Sequence, residues 1–284
     1  MFTCGLAFSC VSQVSAYYVF LNTIRYYPIA GLMFVFFYIW KKRSFLKYKI
    51  QEKFPQFDRV KKEMAQSFVT LLMFSSIGTT VYILNILGVI KTQVYWDPSL
   101  HGGAAYMLLS FALITVWHET WFYWAHRIMH HKSVYRYVHA VHHRSVNPTP
   151  VAAYNFHWLE AILEGIYVVP FLILVPMYYP VFLAHTFYAM IMNIYFHSGF
   201  ELYPQGFARG KVFKWINTST HHNMHHSKFT GNYSLYFNFW DRIMGTNFAN
   251  YEDTFDAVVQ KRSTYRDTAK EGDTTLQPHA SRSV

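Results

Sequence analysis

The chain has 284 residues, of which 52% are hydrophobic and only 14% are charged. This composition is more apolar than that of an average soluble domain and indicates a membrane protein. The formal net charge of +10 is compatible with nucleic acid or anionic lipid as a partner. Because the basic residues lie beside apolar stretches and form no arginine-rich groove motif, we exclude nucleic acid and favour a lipid surface.

Several apolar stretches are long enough to cross or enter a bilayer, which takes about 20 helical residues. The first crossing is predicted at 26–40, and whether it extends backwards through the weakly apolar residues 5–24 stays open. A second is predicted at 66–90, and a third at 104–125 runs directly into His126. Residues 158–176 and 180–198, separated by the turn MYYP, are predicted to form a helical hairpin. The sequence therefore predicts an all-α, polytopic membrane bundle with about four transmembrane helices.

Basic residues are concentrated between the first two crossings. They are Lys41, Lys42, Arg43, Lys47, Lys49, Lys53, Arg59, Lys61 and Lys62, whereas the loop at 91–103 carries only Lys91. By the positive-inside rule, the first of these loops is cytoplasmic. Counting crossings from there places residues 126–157 and 197–284 together on the cytoplasmic face.

We expect residues 1–262 to form one membrane-embedded domain, because no internal repeat or linker divides them. Residues 263–284 are polar with little apolar content, so they cannot bury a core. They are predicted to form a disordered tail.

Thirteen of the sixteen histidines fall between residues 126 and 226. On a helix, positions i, i+3 and i+4 share one face. Three segments satisfy this spacing in whole or in part: HRIMHH, VHAVHH and THHNMHH. Their converging imidazoles are predicted at His126, His130, His139, His142, His143, His222, His225 and His226.

Neutral imidazole is the commonest protein ligand for zinc, copper, iron and nickel. The cysteines, Cys4 and Cys10, form no C-x-x-C pair, so any metal here must use nitrogen or oxygen ligands. Since a single zinc ion takes about four ligands, eight histidines are too many for one metal and suit two. A solvated polar face or a pH switch would not need the repeated spacing, so we favour a dimetal site.

Ligating histidines usually donate their second N–H to a carboxylate or carbonyl. Glu119 lies two helical turns before His126, and Glu160 and Asp241 are further carboxylates near the clusters. For Asp241, a salt bridge to Arg242 or a helix cap is an equal alternative. His157 and His197 lie at predicted membrane boundaries, where either a supporting or a ligand role fits. The predicted supporting residues are Glu119, His131, His157, His197, His221 and Asp241.

The motifs WFYWAHRIMHH, YVHAVHH, NFHWLE, FHSG, HHNMHH and GNYSLYFNFWDRIMGT occur in this order. Together they resemble the fatty acid hydroxylase and sterol desaturase superfamily of integral-membrane non-haem diiron enzymes. The resemblance covers residues 115–250 and is nearest to the sterol C-5 desaturase-like proteins. It implies a cytosolic helical cap over the membrane helices, two iron ions, and O2 as co-substrate.

Carried over residue by residue, the family's metal ligands and catalytic residues correspond to the eight predicted histidines. Because the first motif is doubled, His131 could replace His130 as a ligand. The chain lacks the HPGG haem-binding signature that some fatty acid hydroxylases carry, so no bound haem is expected. We expect a separate electron donor, either a b5-type cytochrome or a ferredoxin with its reductase.

The resemblance implies an oxidoreductase that desaturates or hydroxylates an unactivated C–H bond of a membrane lipid, and a sterol is the first expectation. An acyl-lipid or fatty acid hydroxylase with the same diiron site is the alternative. A membrane metal carrier or sensor is the non-enzymatic alternative, although carrier ligands should lie at the midplane of several helices. The implied location is the endoplasmic reticulum in a eukaryote or the inner membrane in a bacterium.

Overall fold

A computed structural model describes residues 5–270, with side chains described up to residue 263. The long helices are α1 (Phe8–Phe34), which continues as a π-helix (Val35–Trp40), α3 (Phe57–Ile86), α4 (Ala104–Met129), α9 (Tyr179–Phe196) and α12 (Tyr251–Lys270). The shorter ones are α2 (Lys42–Phe45), α5 (Tyr135–Val138), α6 (Ala140–His143), α7 (Trp158–Gly165), α8 (Val168–Leu174), α10 (Ser219–Lys228) and α11 (Phe239–Ile243). Single 3₁₀ turns occur at Leu46–Tyr48, Leu100–Gly102, Pro150–Ala152, Phe207–Arg209 and Phe213–Trp215.

One small sheet interrupts this helical architecture. Strands β1 (Val94–Tyr95) and β2 (Met177–Tyr178) pair in parallel, with Val94 opposite Met177. The described part of the chain is otherwise helices and loops, consistent with an all-α membrane fold.

Within residues 5–270, two helices are long and apolar enough to cross a bilayer: Phe8–Trp40 with 33 residues and Phe57–Ile86 with 30 residues. The first shows that the predicted crossing at 26–40 does extend backwards, through most of residues 5–24, as one helix. Pro28 therefore lies inside that helix and not in its first turn. The presence of about four transmembrane helices stays a prediction.

The predicted hairpin differs from expectation in its first arm. Residues 158–176 form two short helices, α7 and α8, of 8 and 7 residues, so no single helix spans this stretch. The physical reason is Pro170, which lacks an N–H group and whose ring would clash with the carbonyl of residue 166 in a continuous helix. The second arm, α9, is one helix of 18 residues, as expected.

The loop at 150–156 is held between the long helices. The Tyr26 hydroxyl of α1 donates to the Val151 carbonyl at 2.9 Å. Asn193 Nδ2 of α9 donates to the Ala153 carbonyl at 2.8 Å, and the ring of Tyr154 stacks on Tyr26 with centroids 4.6 Å apart. These contacts tie the histidine-bearing segment before the loop to the ends of α1 and α9.

Gly165 allows α7 to approach α3 closely. A Cβ atom at this position would lie 2.7 Å from Ile77 Cδ1 and 2.9 Å from Phe74 Cδ1, both on α3. Such distances are shorter than ordinary van der Waals contact. Glycine therefore sets how closely these two helices pack.

Helix α12 continues to Lys270. The tail predicted to be disordered begins at residue 263, so its first part, up to residue 270, is helical instead. Residues 271–284 of the predicted tail lie outside the described residues.

Candidate metal centre

The eight histidines predicted from spacing converge in the structure, and a ninth joins them. They form two groups in which one potential ligand atom of each residue lies within 4.8 Å of those of the others. The first group is His126, His130, His139, His143 and His225. The second group is His142, His197, His222 and His226.

The two groups adjoin each other. The ring centroids of His143 and His226, one from each group, lie 4.8 Å apart. His142 and His143 are neighbours in α6 yet belong to different groups, because successive residues on a helix point in directions about 100° apart. The short helix α6 therefore serves both groups.

Each histidine is placed by the end of a helix or by a single helical turn. His126 lies in the last turn of α4, and His130 is the residue that follows this helix. His139 immediately precedes α6, and His197 immediately follows α9. The predicted i, i+3, i+4 pattern is therefore realised as one turn at residues 139–143.

Helix α10 carries the remaining ligand candidates, and its composition is unusual for a buried helix. Ser219 to His226 are all buried, although Met224 is the only apolar residue among them. Glu201 receives hydrogen bonds at its Oε2 from Thr220 N at 2.9 Å and from the Thr220 hydroxyl at 2.8 Å, which secures the first turn. Burying so many polar groups is costly unless they find partners, which favours a functional reason for this helix.

Three of the nine rings donate their Nδ1 hydrogen to a backbone carbonyl. His126 donates to Tyr233 at 2.7 Å, and His225 donates to Gly231 at 2.8 Å. In the second group, His197 Nδ1 lies 2.8 Å from the carbonyl oxygen of Asn193. Because a neutral imidazole carries one hydrogen, Nε2 of each of these rings carries a lone pair.

The lone-pair nitrogens face other histidine nitrogens. Nε2 of His126 lies 3.0 Å from Nε2 of His139, and Nε2 of His225 lies 3.0 Å from Nε2 of His143. Nε2 of His197 lies within 3.3 Å of Nε2 in each of the other three members of its group. So many acceptor nitrogens cannot all be satisfied by one another, whereas a cation between them would satisfy them together.

The spacing also suits metal coordination. Two nitrogens that each lie about 2.1 Å from one ion, at an angle of roughly 90–109°, are about 3.0–3.4 Å apart. The closest Nε2–Nε2 pairs in the two groups are 3.0–3.3 Å apart, and one potential ligand atom of each residue lies within 4.8 Å of those of the other members of its group. The donor set is all nitrogen, which suits zinc, copper, iron or nickel better than magnesium or calcium.

Burial keeps these rings neutral, as metal binding requires. Burial, followed by the neighbouring His126, lowers the pKa of His130 to about 2. Burial also lowers the pKa of His139 and of His222 well below the ordinary value, and in each the neighbouring histidines add to the effect. Lone pairs are therefore available on these rings at neutral pH.

Two predicted carboxylates support the site through the loop at 231–237. Glu119 accepts backbone N–H groups from Leu235 at 3.1 Å and Phe237 at 3.2 Å. Asp241 accepts backbone N–H groups from Tyr233 and Ser234, each at 2.9 Å. The same loop carries the Tyr233 carbonyl, which accepts the Nδ1 hydrogen of His126. Both carboxylates therefore hold the backbone of the loop and do not touch a ligand candidate themselves.

The alternative predicted for Asp241, a salt bridge to Arg242, is wrong. Arg242 pairs instead with Glu252, at 2.8 Å. His221 lies outside both groups, and its Nε2 is 3.6 Å from Oδ2 of Asp241. It therefore lies near the carboxylate that holds the loop.

His131 and His157 are not brought to the centre. His131 is exposed, and its Nδ1 accepts a long hydrogen bond from Ser133 N at 3.4 Å. His157 precedes α7, where its Nδ1 accepts from Leu159 N at 3.4 Å. Of the adjacent pair His130 and His131, the structure places only His130 with the other histidines.

Two residues contribute more than sequence reasoning assigned to them. His197 was expected to have a supporting role, but its Nε2 is central to the second group. Glu160 was one of several candidate carboxylates, and its Oε1 lies 2.8 Å from Nδ1 of His139, with both side chains buried. The sequence signal for His197 was its position at the end of an apolar helix on the predicted cytoplasmic face.

A mainly apolar cavity of about 160 Å³ lies among α1, α3, α4, α7 and α9. Two of the rings that line it also touch the histidine groups. The centroid of Phe156 lies 5.0 Å from that of His142, and the centroid of Phe122 lies 5.0 Å from that of His126. One end of the cavity is thus separated from the metal centre by a single layer of side chains.

Comparison with known proteins gives an independent view of this arrangement. The family model described as fatty acid hydroxylase matches residues 111–246, which contain all nine clustered histidines. Lathosterol oxidase of Homo sapiens is 30% identical over 243 residues, covering 83% of this chain and 73% of that protein. Methylsterol monooxygenase 1 of Rattus norvegicus is 33% identical over 131 residues, covering 45% of this chain and 43% of that protein.

A Delta(7)-sterol 5(6)-desaturase of Gibberella zeae is 28% identical over 198 residues, covering 69% of this chain. The match spans 59% of that fungal protein's length, and 58% of a second desaturase from the same organism. No solved structure matches this chain.

Proposed function

Because this chain belongs to the fatty acid hydroxylase family, we propose that it is an O2-dependent diiron oxidoreductase that acts on a membrane lipid. The observation that carries the proposal is the pair of adjoining groups of largely buried histidines, in which the closest Nε2–Nε2 pairs are 3.0–3.3 Å apart. Two separate sets of nitrogen ligands support two ions better than one.

We assign five histidines to one iron and four to the other, following the two groups. Iron bound there would activate O2 for removal of hydrogen from an unactivated C–H bond. Neutral imidazoles would hold the ions, and backbone carbonyls orient His126, His197 and His225. Glu160 orients His139 in the same way, from a carboxylate.

The cavity beside the centre is proposed as the lipid site. Its lining is mainly apolar, which suits a lipid body, and it ends at Phe122 and Phe156 beside the histidines. A lipid held there excludes water from the reacting carbon and brings one C–H bond towards the metals, which is the protein's part in cofactor chemistry.

A sterol is the proposed substrate, with desaturation as the expected outcome. The support is that relatives matching most of this chain are named as sterol desaturases or a sterol oxidase. Hydroxylation of an acyl lipid by the same centre is the competing outcome, and a test with both lipid types separates the two.

We further propose that the protein crosses the membrane several times and that its metal centre lies on the cytoplasmic face. The supports are the two helices able to span a bilayer and the basic residues that follow the first of them. The endoplasmic reticulum is the expected membrane in a eukaryotic cell. Electrons would come from a separate protein, a b5-type cytochrome or a ferredoxin with its reductase.

The test is metal analysis and turnover of the purified protein in lipid nanodiscs. We expect about two irons per chain and, with O2, an electron donor and lathosterol, a product lighter by two hydrogens. His142→Ala, which removes one of the four nitrogens of the second group, should lose the iron of that group and form no product, whereas His131→Ala, an exposed neighbour outside both groups, should retain both ions and product formation.

A His142→Ala protein with full iron content and full product formation would contradict the proposal. Loosely held zinc or copper in the wild-type protein, with no turnover of sterol or acyl lipid after iron loading, would favour a metal carrier instead. An acyl product heavier by one oxygen would replace the sterol assignment with the acyl-lipid one.

A further inference from the structure

Glu164 is a buried carboxylic acid that lines the cavity beside the metal centre. Its side chain belongs to α7, and the residue is only 6% exposed. Oε2 of Glu164 is buried and has no hydrogen-bond partner among residues 5–263, whose side chains are described. The mechanism proposed above makes no use of this group.

An unpartnered polar atom in such a place is costly. A buried carboxyl oxygen without a hydrogen bond loses the solvation that it would have in water. Ionisable residues in the apolar part of a membrane protein are rare, and they usually mark a functional site. A ligand with a complementary polar group would remove this cost, whereas a purely hydrocarbon ligand would leave it in place.

The other residues that line the cavity restrict which polar group that ligand can carry. No lysine or arginine is among the described residues that line the cavity. Arg25 lies behind the lining, and its guanidinium already donates to the Thr186 hydroxyl at 3.1 Å and to the Leu183 carbonyl at 3.3 Å. The lining side chains already hydrogen-bonded within the protein include His118, Tyr167, Thr186 and Asn193. Glu164 is the carboxyl group of this lining. This carboxyl group suits a ligand with a neutral hydroxyl, because a carboxyl group can hydrogen-bond to a hydroxyl in either protonation state.

The position of Glu164 relates the cavity to the metal centre. Glu160, one helical turn earlier on α7, lies 2.8 Å from His139. Because four residues advance about 6 Å along a helix, a hydroxyl bound at Glu164 would be offset from Glu160 by about that distance along the axis of α7. The arrangement therefore sets a short distance between the recognised hydroxyl and the reacting carbon.

We propose that Glu164 recognises the hydroxyl group of a neutral lipid substrate and thereby selects hydroxylated lipids over hydrocarbons and lipid anions. The inference rests on the proposed lipid oxidation and adds the group that orients the substrate. A sterol satisfies the geometry, because its hydroxyl on carbon 3 lies two carbons from carbon 5, the position that appears in the name of the fungal desaturase. Free fatty acids do not satisfy it, since they bring a second carboxylate.

The test compares lathosterol with 3-deoxylathosterol, which has hydrogen in place of the hydroxyl. Binding of each to the iron-loaded, full-length protein in nanodiscs is measured for wild type, Glu164→Leu and Glu164→Gln. The wild type should prefer lathosterol by about two- to tenfold, the scale of a hydrogen bond between neutral groups in a protein. Leucine should abolish the preference, and glutamine, whose amide still bonds a hydroxyl, should keep part of it.

A merely structural role for Glu164 would weaken the binding of both probes equally, so an unchanged ratio in Glu164→Leu would overturn the inference. If the leucine variant does not fold, photolabelling of the wild type decides. A sterol with a diazirine in ring A should label the peptide at 158–165, and labelling confined to other segments would overturn the inference.

Iron content is measured on every sample, which separates two kinds of failure. A wild type without tightly bound iron or without lipid oxidation contradicts the proposed function. A wild type that oxidises lathosterol but binds the deoxy analogue equally well contradicts only the assignment of Glu164.

Discussion

Nδ1 of His126 donates a hydrogen bond of 2.7 Å to the backbone carbonyl of Tyr233, a residue 107 positions later in the chain. This contact decides which nitrogen of His126 faces the other histidines. It also makes the loop at 231–237 part of the metal centre, although no side chain of that loop belongs to either histidine group.

His197→Ala removes one of the four nitrogens of the second group. Three imidazoles would remain, and Nε2 of His142 and of His222 would lose a shared neighbour. The ion bound by the second group should therefore bind more weakly. We expect iron content to fall from about two ions per chain to about one, measured by elemental analysis of the purified protein. His157→Ala is the matched control, because His157 lies outside both groups, and it should keep both ions. Equal iron content in the two variants would argue against His197 as a ligand.

Asp241→Asn tests the carboxylate that holds the loop. The two oxygens of Asp241 accept N–H groups from Tyr233 and Ser234. An asparagine amide would point a donor at one of these N–H groups, so the loop and the carbonyl facing His126 should shift. We expect iron affinity to fall by about tenfold or more, as for other residues that orient metal ligands.

The measurement for Asp241→Asn is a competition titration of iron against a chelator. Asp256→Asn serves as the control, since Asp256 pairs with Arg209 at the surface of α12 and lies apart from the loop. An iron affinity equal to that of the wild type would show that the loop does not depend on the Asp241 charge.

Gly231→Ala tests how tightly the loop is confined. A Cβ atom at Gly231 would lie 2.5 Å from the carbonyl oxygen of Thr246, a backbone atom that cannot rotate away. The loop must then move, and with it the carbonyl that receives Nδ1–H of His225. We expect a loss of about 1–3 kcal/mol in the free energy of unfolding, together with reduced iron content.

Gly210→Ala is the matched control for that substitution. The nearest atom to a Cβ there is 3.5 Å away, which is ordinary contact. Thermal unfolding of the two variants side by side should show a lowered Tm only for Gly231→Ala. A lowered Tm in both would indicate a general intolerance of alanine and not a confined loop.

Metal removal should destabilise the protein. Without a cation, the lone pairs on Nε2 of His126, His197 and His225 face other buried nitrogens. A ligand that binds only the folded state adds stability of about 4 kcal/mol when its free concentration is about a thousandfold above Kd. We expect a chelator to lower Tm and Fe²⁺ to restore it, measured by thermal unfolding in detergent.

Mg²⁺ provides the control for metal removal, because it prefers oxygen ligands and should not restore Tm. Restoration by Mg²⁺ would show that the effect is a general ionic one. An unchanged Tm after complete removal of iron would contradict a stabilising role for the centre.

Local spacing identified most of the metal centre. The histidines at 139, 142, 143, 222, 225 and 226 were found because i, i+3 and i+4 positions share a face within a single helical turn, a relationship that needs no tertiary contact. The largely helical architecture followed from hydropathy for the same reason, and so did the second apolar helix, predicted at 66–90 and found at Phe57–Ile86. These properties depend on neighbours in sequence, and sequence contains them directly.

Tertiary structure decided what depends on distant residues. The partition of His142 and His143 between different groups, the entry of His197 into the second group, and the choice of His130 over His131 all follow from how α4, α6, α9 and α10 converge. No spacing rule relates His126 to the Tyr233 carbonyl, or His139 to Glu160, because these pairs meet only after the chain has folded. The sequence alone determined which residue types could bind metal, and packing determined which nitrogens face one another.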